Sequence, residues 1–239
     1  MLTVDLDRLD IGPGMRLLDL GCGEGRHAHG ACFGHDVFCV GLDLDRNSLV
    51  TARTGLGEIA KANTAIARRL SVLQGHGQWL PFRDDAFDVV ICSEVLEHIH
   101  DYVPVLREIV RVLKPNGRLA VSVPRAWPER ICWRLSPGYR NSPGGHVRIF
   151  DASALEAEVE RQGLHCVRRH GAHALHAPFW WLKCAFWNRR EDHWLVRAYH
   201  RFLVWEMTAR PRLVRMLEAC ANPVMGKSVV FYFQKEARR

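Results

Sequence analysis

Three glycines at alternate positions follow a short, mostly apolar run near the start of the chain. The run is Leu17–Leu20, and Gly21, Gly23 and Gly25 come directly after it. A strand that breaks into a glycine loop and then a helix brings the backbone close to a nucleotide-like ligand, and the helix offers unpaired N–H groups to a carboxylate. Dinucleotide-binding loops have the spacing Gly-x-Gly-x-x-Gly instead. The loop therefore predicts a nucleotide-like ligand that is not a dinucleotide.

An acidic residue ends the next apolar run. Asp43 follows Val40–Leu42 and stands about 20 residues after the glycine loop, the spacing at which a carboxylate accepts hydrogen bonds from both ribose hydroxyls. An alternative role is to cap the helix predicted to start at Arg46, for which Asp45 is the better placed residue.

A third polar segment follows a later apolar run. Ser93–Glu94 comes directly after the strand predicted over Phe87–Cys92. In an open α/β sheet the ligand lies over the carboxyl ends of strands. We therefore expect Asp19–Gly21, at the end of the first strand, and Ser93–Glu94, at the end of the fourth, to flank one crevice.

The order of these segments resembles that of a known family. The order is LLDLGCGEG, VGLDLD, LPF with DDAFDVVICSEVLEHI, LREIVRVLKPNGRLAVSVP and GHVRIF, over residues 15–150. It is similar to class I S-adenosylmethionine-dependent methyltransferases, in the small-molecule group typified by the ubiquinone and menaquinone enzymes. The resemblance implies a Rossmann-like α/β fold with a seven-stranded, mostly parallel sheet. Its last strand would be antiparallel, between the fifth and sixth.

The resemblance also implies how S-adenosylmethionine is held before it leaves as S-adenosylhomocysteine. Asp19 and the glycine loop would hold the methionine part, Asp43 the ribose, and Leu44 with His76–Gly77 the adenine. The family commonly has Asp-Ala in place of His76–Gly77, so His76 would accept from the adenine amino group through an unprotonated ring nitrogen. The predicted cofactor residues are Asp19, Gly21, Cys22, Gly23, Asp43, Leu44, His76, Gly77, Ser93 and Glu94.

The end of the fourth strand also bears on the methyl acceptor. Methyltransferases that act on exocyclic amines of bases or on amides usually carry an Asn/Asp-Pro-Pro-aromatic motif there, whereas this chain has Cys92–Val95. The difference favours an oxygen, carbon or sulfur acceptor in a small molecule, and no DNA partner. Methyl transfer to a hydroxyl requires alignment of the reactants and removal of one proton.

Several histidines are candidates for the group that removes this proton. His146 follows Gly144–Gly145 after the long loop that leaves the fifth strand, on the predicted ligand side of the sheet. We rank His146 first as the general base, and His173 and His176 are further candidates. Glu97 and His98 also qualify by type, but they begin a helix and are expected mainly to position backbone. For His146, too, an alternative role is to order its own loop by hydrogen bonding.

Tryptophans are concentrated in two segments on the predicted ligand side. Seven of the eight lie in residues 124–150 and 170–226, which leave and re-enter the sheet over the acceptor cleft. We predict that both segments form a cap on a single methyltransferase domain, residues 1–239. An aromatic acceptor pocket and a cap that packs only against itself are both open alternatives. The predicted pocket residues are Trp127, Trp133, Trp180 and Trp181.

Alternating strand and helix patterns support the α/β prediction as far as residue 170. The predicted strands are Arg16–Leu20, Val37–Leu42, Ser71–Leu73, Phe87–Cys92, Gly117–Val123, Leu164–Arg169 and Ser228–Phe233. The predicted helices are Arg26–Phe33, Arg46–Leu70, Tyr102–Leu113 and Ala152–Gln162. Residues 124–150 are expected to be irregular because they hold four prolines and three glycines, and residues 170–226 are expected to be helical.

Composition limits the remaining choices. The 239 residues are 48% apolar, no apolar run reaches the length of a membrane span, and the start lacks a signal-peptide pattern. Eight scattered cysteines without a Cys-x-x-Cys pair indicate reduced thiols and no metal site. We expect a cytoplasmic protein.

The net charge of +7 also permits peripheral contact with lipid, for which the Trp-rich segment 177–187, followed by Arg189 and Arg190, is the candidate.

Three functions follow from these patterns. The first is an S-adenosylmethionine-dependent methyltransferase, with O-methylation of a lipophilic or glycosylated small molecule as the specific hypothesis. A methyltransferase of RNA or protein is an alternative, because the surface is basic. A non-catalytic module that only binds S-adenosylmethionine is another, because His76 departs from the family pattern.

Overall fold

The computed structural model describes residues 2–62 and 69–237. Within this part of the chain, seven strands form one sheet in the order β3-β2-β1-β4-β5-β7-β6. Strand β7 is antiparallel to β5 and β6, and the other neighbouring strands are parallel. The strands are β1 Arg16–Leu20, β2 Phe38–Asp43, β3 Leu70–Gln74, β4 Phe87–Ser93, β5 Leu113–Pro124, β6 Leu164–Ala172 and β7 Ser228–Lys235. The predicted Rossmann-like sheet with an antiparallel last strand is confirmed.

Helices connect the strands and cover the sheet. The α-helices are α1 Arg26–Gly34, α2 Arg46–Ala62, α3 Val103–Val112, α4 Ala126–Leu135, α5 Pro137–Arg140, α6 Ala152–Arg161, α7 His176–Ala185, α8 Trp194–Ala209 and α9 Arg212–Met225. Short 3-10 helices lie at Leu6–Leu9, Leu96–His98 and Trp187–Arg189. Among the described residues, no helix is long and apolar enough to cross a membrane.

Two element predictions need correction. The helix predicted over Arg46–Leu70 ends at Ala62 within the described residues, and Leu70 pairs with Cys39 in the sheet; residues 63–68 lie outside the described part. The segment 124–150, predicted to be irregular, contains α4 and α5. Its prolines Pro128 and Pro137 lie in the first turns of these helices, where the missing N–H costs nothing, so they do not interrupt the helix.

Apolar side chains on both faces of the sheet form the core. On one face, β-strand residues such as Val90 and Phe231 pack with α3 and α6. On the other face, Ile91 and Tyr232 pack with α1 and the first 3-10 helix. Burial on both faces is what a parallel sheet between two helical layers requires. The carboxyl ends of β1, β2 and β4 are therefore held at one edge by a rigid core.

Gly21 lies where β1 meets the segment after β4. Its φ is +69°, and an added Cβ would overlap with the Val95 side chain. A left-handed backbone disfavours residues with a Cβ, and overlap in a packed site forces a shift. The left-handed backbone and the close packing against Val95 therefore both require a glycine at position 21.

We expect Gly21→Ala to lower the free energy of unfolding by about 2–4 kcal/mol, through backbone strain and overpacking together. Denaturant unfolding measures the change. Gly34→Ala, at the end of α1, is the matched control because a Cβ there meets no described atom within 4 Å, and its effect should stay below about 1 kcal/mol. Equal stability of the two variants would contradict this account of the loop.

Candidate active site

The glycine loop is fastened to the neighbouring strand. The N–H groups of Gly21 and Cys22 donate to the carbonyl of Leu42, at 2.7 and 3.1 Å. Gly23 has a φ of +52°, and a Cβ built on it meets no described atom within 4 Å. The loop therefore leaves open space beside an exposed stretch of backbone, which is the cradle that a ligand such as S-adenosylmethionine needs.

Asp43 connects the glycine loop with the end of β2. One carboxylate oxygen accepts from Gly23 N at 2.7 Å and the other from Asp45 N at 2.8 Å. The helix-capping role belongs to Asp45, whose carboxylate accepts from Ser48 N at 2.8 Å. Each oxygen of Asp43 has a second acceptor position, so the carboxylate still has capacity for ribose hydroxyls.

Asp19 provides a buried carboxylate beneath the same loop. Its Oδ2 accepts from Ala28 N at 2.9 Å. Burial raises the pKa of Asp19 to about 7, against the lowering effects of that hydrogen bond and of the Arg26 charge. At the start of α1, Gly25 makes no side-chain cap, so the helix leaves N–H groups for an anion. A carboxylate beside free N–H groups fits an amino-acid ligand with one ammonium and one carboxylate.

The predicted adenine residues lie on exposed segments. His76 Nδ1 accepts from Gln78 N at 3.2 Å, which places the ring proton on Nε2. His76 therefore offers a donor where the predicted contact needs an acceptor, and its adenine role stays a prediction. Leu44 is 62% exposed, and Trp79, 71% exposed, lies with its ring centroid 5.1 Å from that of His76. Trp79 was missed from the sequence, although it is the single tryptophan outside the two Trp-rich segments.

Ser93 and Glu94 form a polar network at the end of β4. The Ser93 and Ser122 hydroxyls are 2.9 Å apart, and Ser122 Oγ donates to Glu94 Oε1 at 2.9 Å. Glu94 has a φ of +56°, and its carboxylate lies 3.9 Å from Lys227 Nζ. Leu20 pairs with Cys92, so the carboxyl ends of β1 and β4 are adjacent, and the crevice between them stays a prediction. Contact of these residues with the cofactor stays a prediction.

His146 is held by a carboxylate that the sequence did not reveal. Its Nδ1 donates to Glu129 Oε1 at 2.7 Å, and Glu129 also accepts from Trp133 Nε1 at 3.0 Å and from the Tyr139 hydroxyl at 3.3 Å. Burial alone would raise the pKa of Glu129, but the hydrogen bond and charge of His146, with Lys227 and Tyr139, lower it overall. An ionised Glu129 fixes the proton on Nδ1 and leaves Nε2 as a base.

Glu97 and His98 lie beside this histidine. His98 Nδ1 is 3.2 Å from the Gly145 carbonyl, and its ring centroid is 5.0 Å from that of His146. Glu97 is fully buried, and neither carboxylate oxygen has a hydrogen-bond partner among the described residues. Burial, followed by the charge of Glu94, raises the pKa of Glu97 well above its usual range. Burial without a hydrogen-bond partner therefore favours the protonated form of Glu97.

The other two candidate bases make different contacts. His173 Nε2 hydrogen-bonds the Thr3 hydroxyl at 3.1 Å, and its ring centroid is 5.4 Å from that of His176. Burial lowers the pKa of His173 to about 3 and that of His176 to about 4. Both histidines belong to a cluster with the N-terminal segment, separate from the Glu129–His146 pair.

The four predicted pocket tryptophans divide into two groups. Trp127 Nε1 donates to the Val224 carbonyl at 3.0 Å, and Trp181 Nε1 donates to the Pro128 carbonyl at 3.2 Å. Trp127 and Trp181 thus join α4 to α9 and to α7, and Trp133 bonds to Glu129 within α4. These contacts favour the self-packing alternative for the three tryptophans. Trp180 instead lies with its ring 5.8 Å from that of Tyr139 and 5.5 Å from Lys227 Nζ. The Tyr139 ring centroid in turn lies 6.1 Å from that of His146, so Trp180 is connected to the Glu129–His146 pair through Tyr139.

Comparison with known proteins assigns the family. The methyltransferase domain family matches residues 11–162. A demethylmenaquinone methyltransferase of Corynebacterium glutamicum is 35% identical over 170 residues, which cover 65% of this chain and 68% of that protein. An O-methyltransferase of Aspergillus nomiae is 33% identical over 116 residues, which cover 48% of this chain and 49% of that protein.

Solved structures agree on the fold. A geranyl diphosphate methyltransferase in complex with SAM has a TM-score of 0.64 at 14% identity, covering 96% of this chain and 82% of that chain. The chain therefore belongs to the methyltransferase domain family, whose methyl donor in the class I fold is S-adenosylmethionine. The match with the first curated relatives spans 40 to 49% of their length.

We expect the affinity for S-adenosylhomocysteine to rise with pH and to level off above about 7. A ligand ammonium favours the ionised form of Asp19, whose pKa is raised to about 7, so each pH unit below that value weakens binding by about tenfold. Titration calorimetry across this range measures the effect. Asp19→Asn should bind weakly at every pH. Asp36→Asn, an exposed carboxylate paired with Arg69, is the control and should keep the slope. A pH-independent affinity would contradict a role for Asp19 in binding the ammonium.

Proposed function

We propose that the chain transfers a methyl group from S-adenosylmethionine to a hydroxyl of a small-molecule acceptor. The observation that carries the proposal is the hydrogen bond of 2.7 Å between His146 and the buried carboxylate of Glu129. A hydroxyl acceptor needs such a base, because the proton of the hydroxyl must be removed during methyl transfer. The relative from Aspergillus nomiae, which is named an O-methyltransferase, also supports a hydroxyl acceptor.

S-adenosylmethionine supplies a methyl group on a positively charged sulfur, which is already activated for displacement. The residues that would hold it are Asp19 and the start of α1 for the amino-acid part and Asp43 for the ribose. Leu44 and Trp79 offer apolar surface to the adenine, and the Nε2–H of His76 offers a donor to a ring nitrogen. The open space at Gly23 and the buried carboxylate of Asp19 are the observations that fit this ligand.

His146 would take the acceptor proton. Glu129 holds the proton of His146 on Nδ1, so the lone pair on Nε2 is available. When the proton reaches Nε2, the ring becomes a cation that the negative charge of Glu129 stabilises, and the Tyr139 and Trp133 donors keep that carboxylate in place. Glu129 is a positioning residue, since it acts through His146.

The acceptor would lie under the cap formed by residues 124–150 and 170–226 of a single domain. Trp180 and Tyr139 offer aromatic surface within reach of the pair, with Lys227 beside them. Aromatic walls with few polar groups suit a lipophilic or glycosylated metabolite. This part of the cap would contact the acceptor, whereas Trp127 and Trp181 join the helices of the cap.

We expect His146→Ala to lower kcat by roughly 10²–10⁴ while S-adenosylhomocysteine binding stays unchanged, because the base acts only during transfer. The assay follows labelled methyl transfer to small-molecule and lipid extracts. Glu129→Gln should lower kcat and shift its pH profile, and adding it to His146→Ala should cost little more, because both act on one proton. His165→Ala, an exposed residue of β6, is the control.

The same assay separates the alternatives. Transfer to RNA or protein fractions with none to small molecules would overturn the acceptor class. Cofactor binding with no transfer to any fraction would favour the non-catalytic module. Unchanged kcat in His146→Ala would reject His146 as the base.

A peripheral lipid contact is also proposed, but on a different helix from the segment that the sequence indicated. In segment 177–187, Trp181 is partly buried and its N–H is bonded. Helix α9 instead exposes one apolar face, with exposed fractions from 57 to 67%. That face comprises Leu213, Met216, Leu217 and Val224. The exposed Arg210, Arg212 and Arg215 give the helix a basic flank. An anionic bilayer surface would therefore attract the arginines and bury the apolar side chains.

We expect the chain to float with vesicles that contain phosphatidylglycerol and not with vesicles of phosphatidylcholine alone. The reason is that attraction between the arginines and anionic lipid adds to the free energy of burying the apolar face. Leu217→Asp should abolish flotation. Phe33→Asp, an equally exposed apolar position on α1, is the control and should leave it unchanged. A dimer by light scattering that Leu217→Asp dissociates, without flotation, would assign the face to a second copy instead.

A further inference from the structure

Three possible metal ligands converge beyond the end of β6. His173 follows β6, His176 is the first residue of α7, and Glu218 lies on α9. One nitrogen or oxygen from each lies within 4.8 Å of those of the other two. Ligands of a tetrahedral zinc ion lie about 3.4 Å apart, so modest side-chain rotation brings the three to bonding distance.

The cluster contains buried polar atoms without partners. Within the described part of the chain, His176 Nδ1 and Glu218 Oε1 are buried and accept or donate no hydrogen bond. Buried polar atoms are nearly always bonded in folded proteins, so two such atoms in one cluster need an explanation. Glu206 Oε2, on the adjacent α8, is a third orphan, and the charge of Glu206 acts on Glu218.

The protonation states suit a metal ion. His173 and His176 are neutral near pH 7, because burial lowers the pKa of each. A neutral imidazole presents the lone pair that a metal requires. Burial, followed by the Glu206 charge, raises the pKa of Glu218, and a bound cation would compensate both effects.

The surroundings favour one chemical class of ion. Arg26 and Lys227 are close enough to lower the pKa of both histidines, and they oppose any cation held by charge alone. Magnesium and calcium prefer oxygen ligands, whereas imidazole suits zinc and related transition metals. A cleft of about 590 Å³ lined by Thr3, His173 and Glu218 gives an ion a path to the cluster.

We infer that His173, His176 and Glu218 bind one zinc-class divalent ion. Two histidines and one glutamate leave a fourth position for water or an anion. His173 has a φ of +65°, an uncommon conformation for a histidine, and the short turn that contains it holds the two rings together. The ion would join β6, α7 and α9, so its binding should raise the melting temperature of the chain. The inference does not depend on the proposed methyl transfer.

The test is metal titration of the full chain after treatment with a chelator. We expect one zinc ion per chain by elemental analysis, a visible absorption band with cobalt, and no response to magnesium or calcium. His176→Ala and the nearly isosteric Glu218→Gln should weaken zinc binding by more than the roughly 10–100-fold that loss of an outer partner costs. Far-UV circular dichroism and S-adenosylhomocysteine binding establish that each variant is folded.

Control variants locate the ion. Cys220→Ser removes the exposed thiol of α9, and His98→Ala disrupts the other cluster of possible ligands, Glu97, His98 and His146. Both variants should retain stoichiometric zinc. Zinc binding lost in His98→Ala or Cys220→Ser but kept in Glu218→Gln would overturn the inference, as would the absence of zinc binding in the folded parent chain. Because these experiments do not measure methyl transfer, their outcome is independent of whether the proposed function is correct.

Discussion

Parallel pairing of β1 between β2 and β4 is the constraint on which the rest of the site depends. In register, this pairing carries Asp19, Asp43 and Ser93 to one edge of the sheet. The glycine loop then hydrogen-bonds to Leu42 and to the Asp43 carboxylate, while Val95 packs on Gly21. A slip of one residue would turn these side chains to the other face, so the buried core that fixes the register also fixes the ligand groups.

The cap depends on where β5 ends and β7 begins. Strand β5 ends at the carboxyl edge, where α4 and α5 follow, and because β7 is antiparallel to β6 and starts at the same edge, α7 to α9 lie there as well. The two passes are tied by indole hydrogen bonds from Trp127 and Trp181 to backbone carbonyls. Partly buried charged groups lie between the sheet and these helices, where Lys227 is 3.9 Å from Glu94 and lowers the pKa of Glu129.

The fold was largely predictable, because its signals are local. Buried strands and glycine loops follow from residue type and spacing, and the helix N-cap at Asp45 follows from its carboxylate. Errors came where a local signal had two meanings. Prolines in residues 124–150 suggested irregular chain, yet Pro137 begins a helix. Leu70 fitted a helical pattern, but pairing with β2 places it in a strand. Such outcomes depend on tertiary contacts that a single segment does not contain.

By itself, the sequence determined the fold class, the family, and which residues stand at the carboxyl edge of the sheet, because these depend on motif spacing and strand periodicity. Only the tertiary structure revealed that His146 is paired with a carboxylate. Glu129 lies 17 residues from His146 in sequence, with no motif between them, and the segment after α5 returns to α4 and brings the ring to the carboxylate. Likewise, only packing separates Trp180 from the tryptophans that hold the cap, since the environment of a side chain is set by elements distant in sequence.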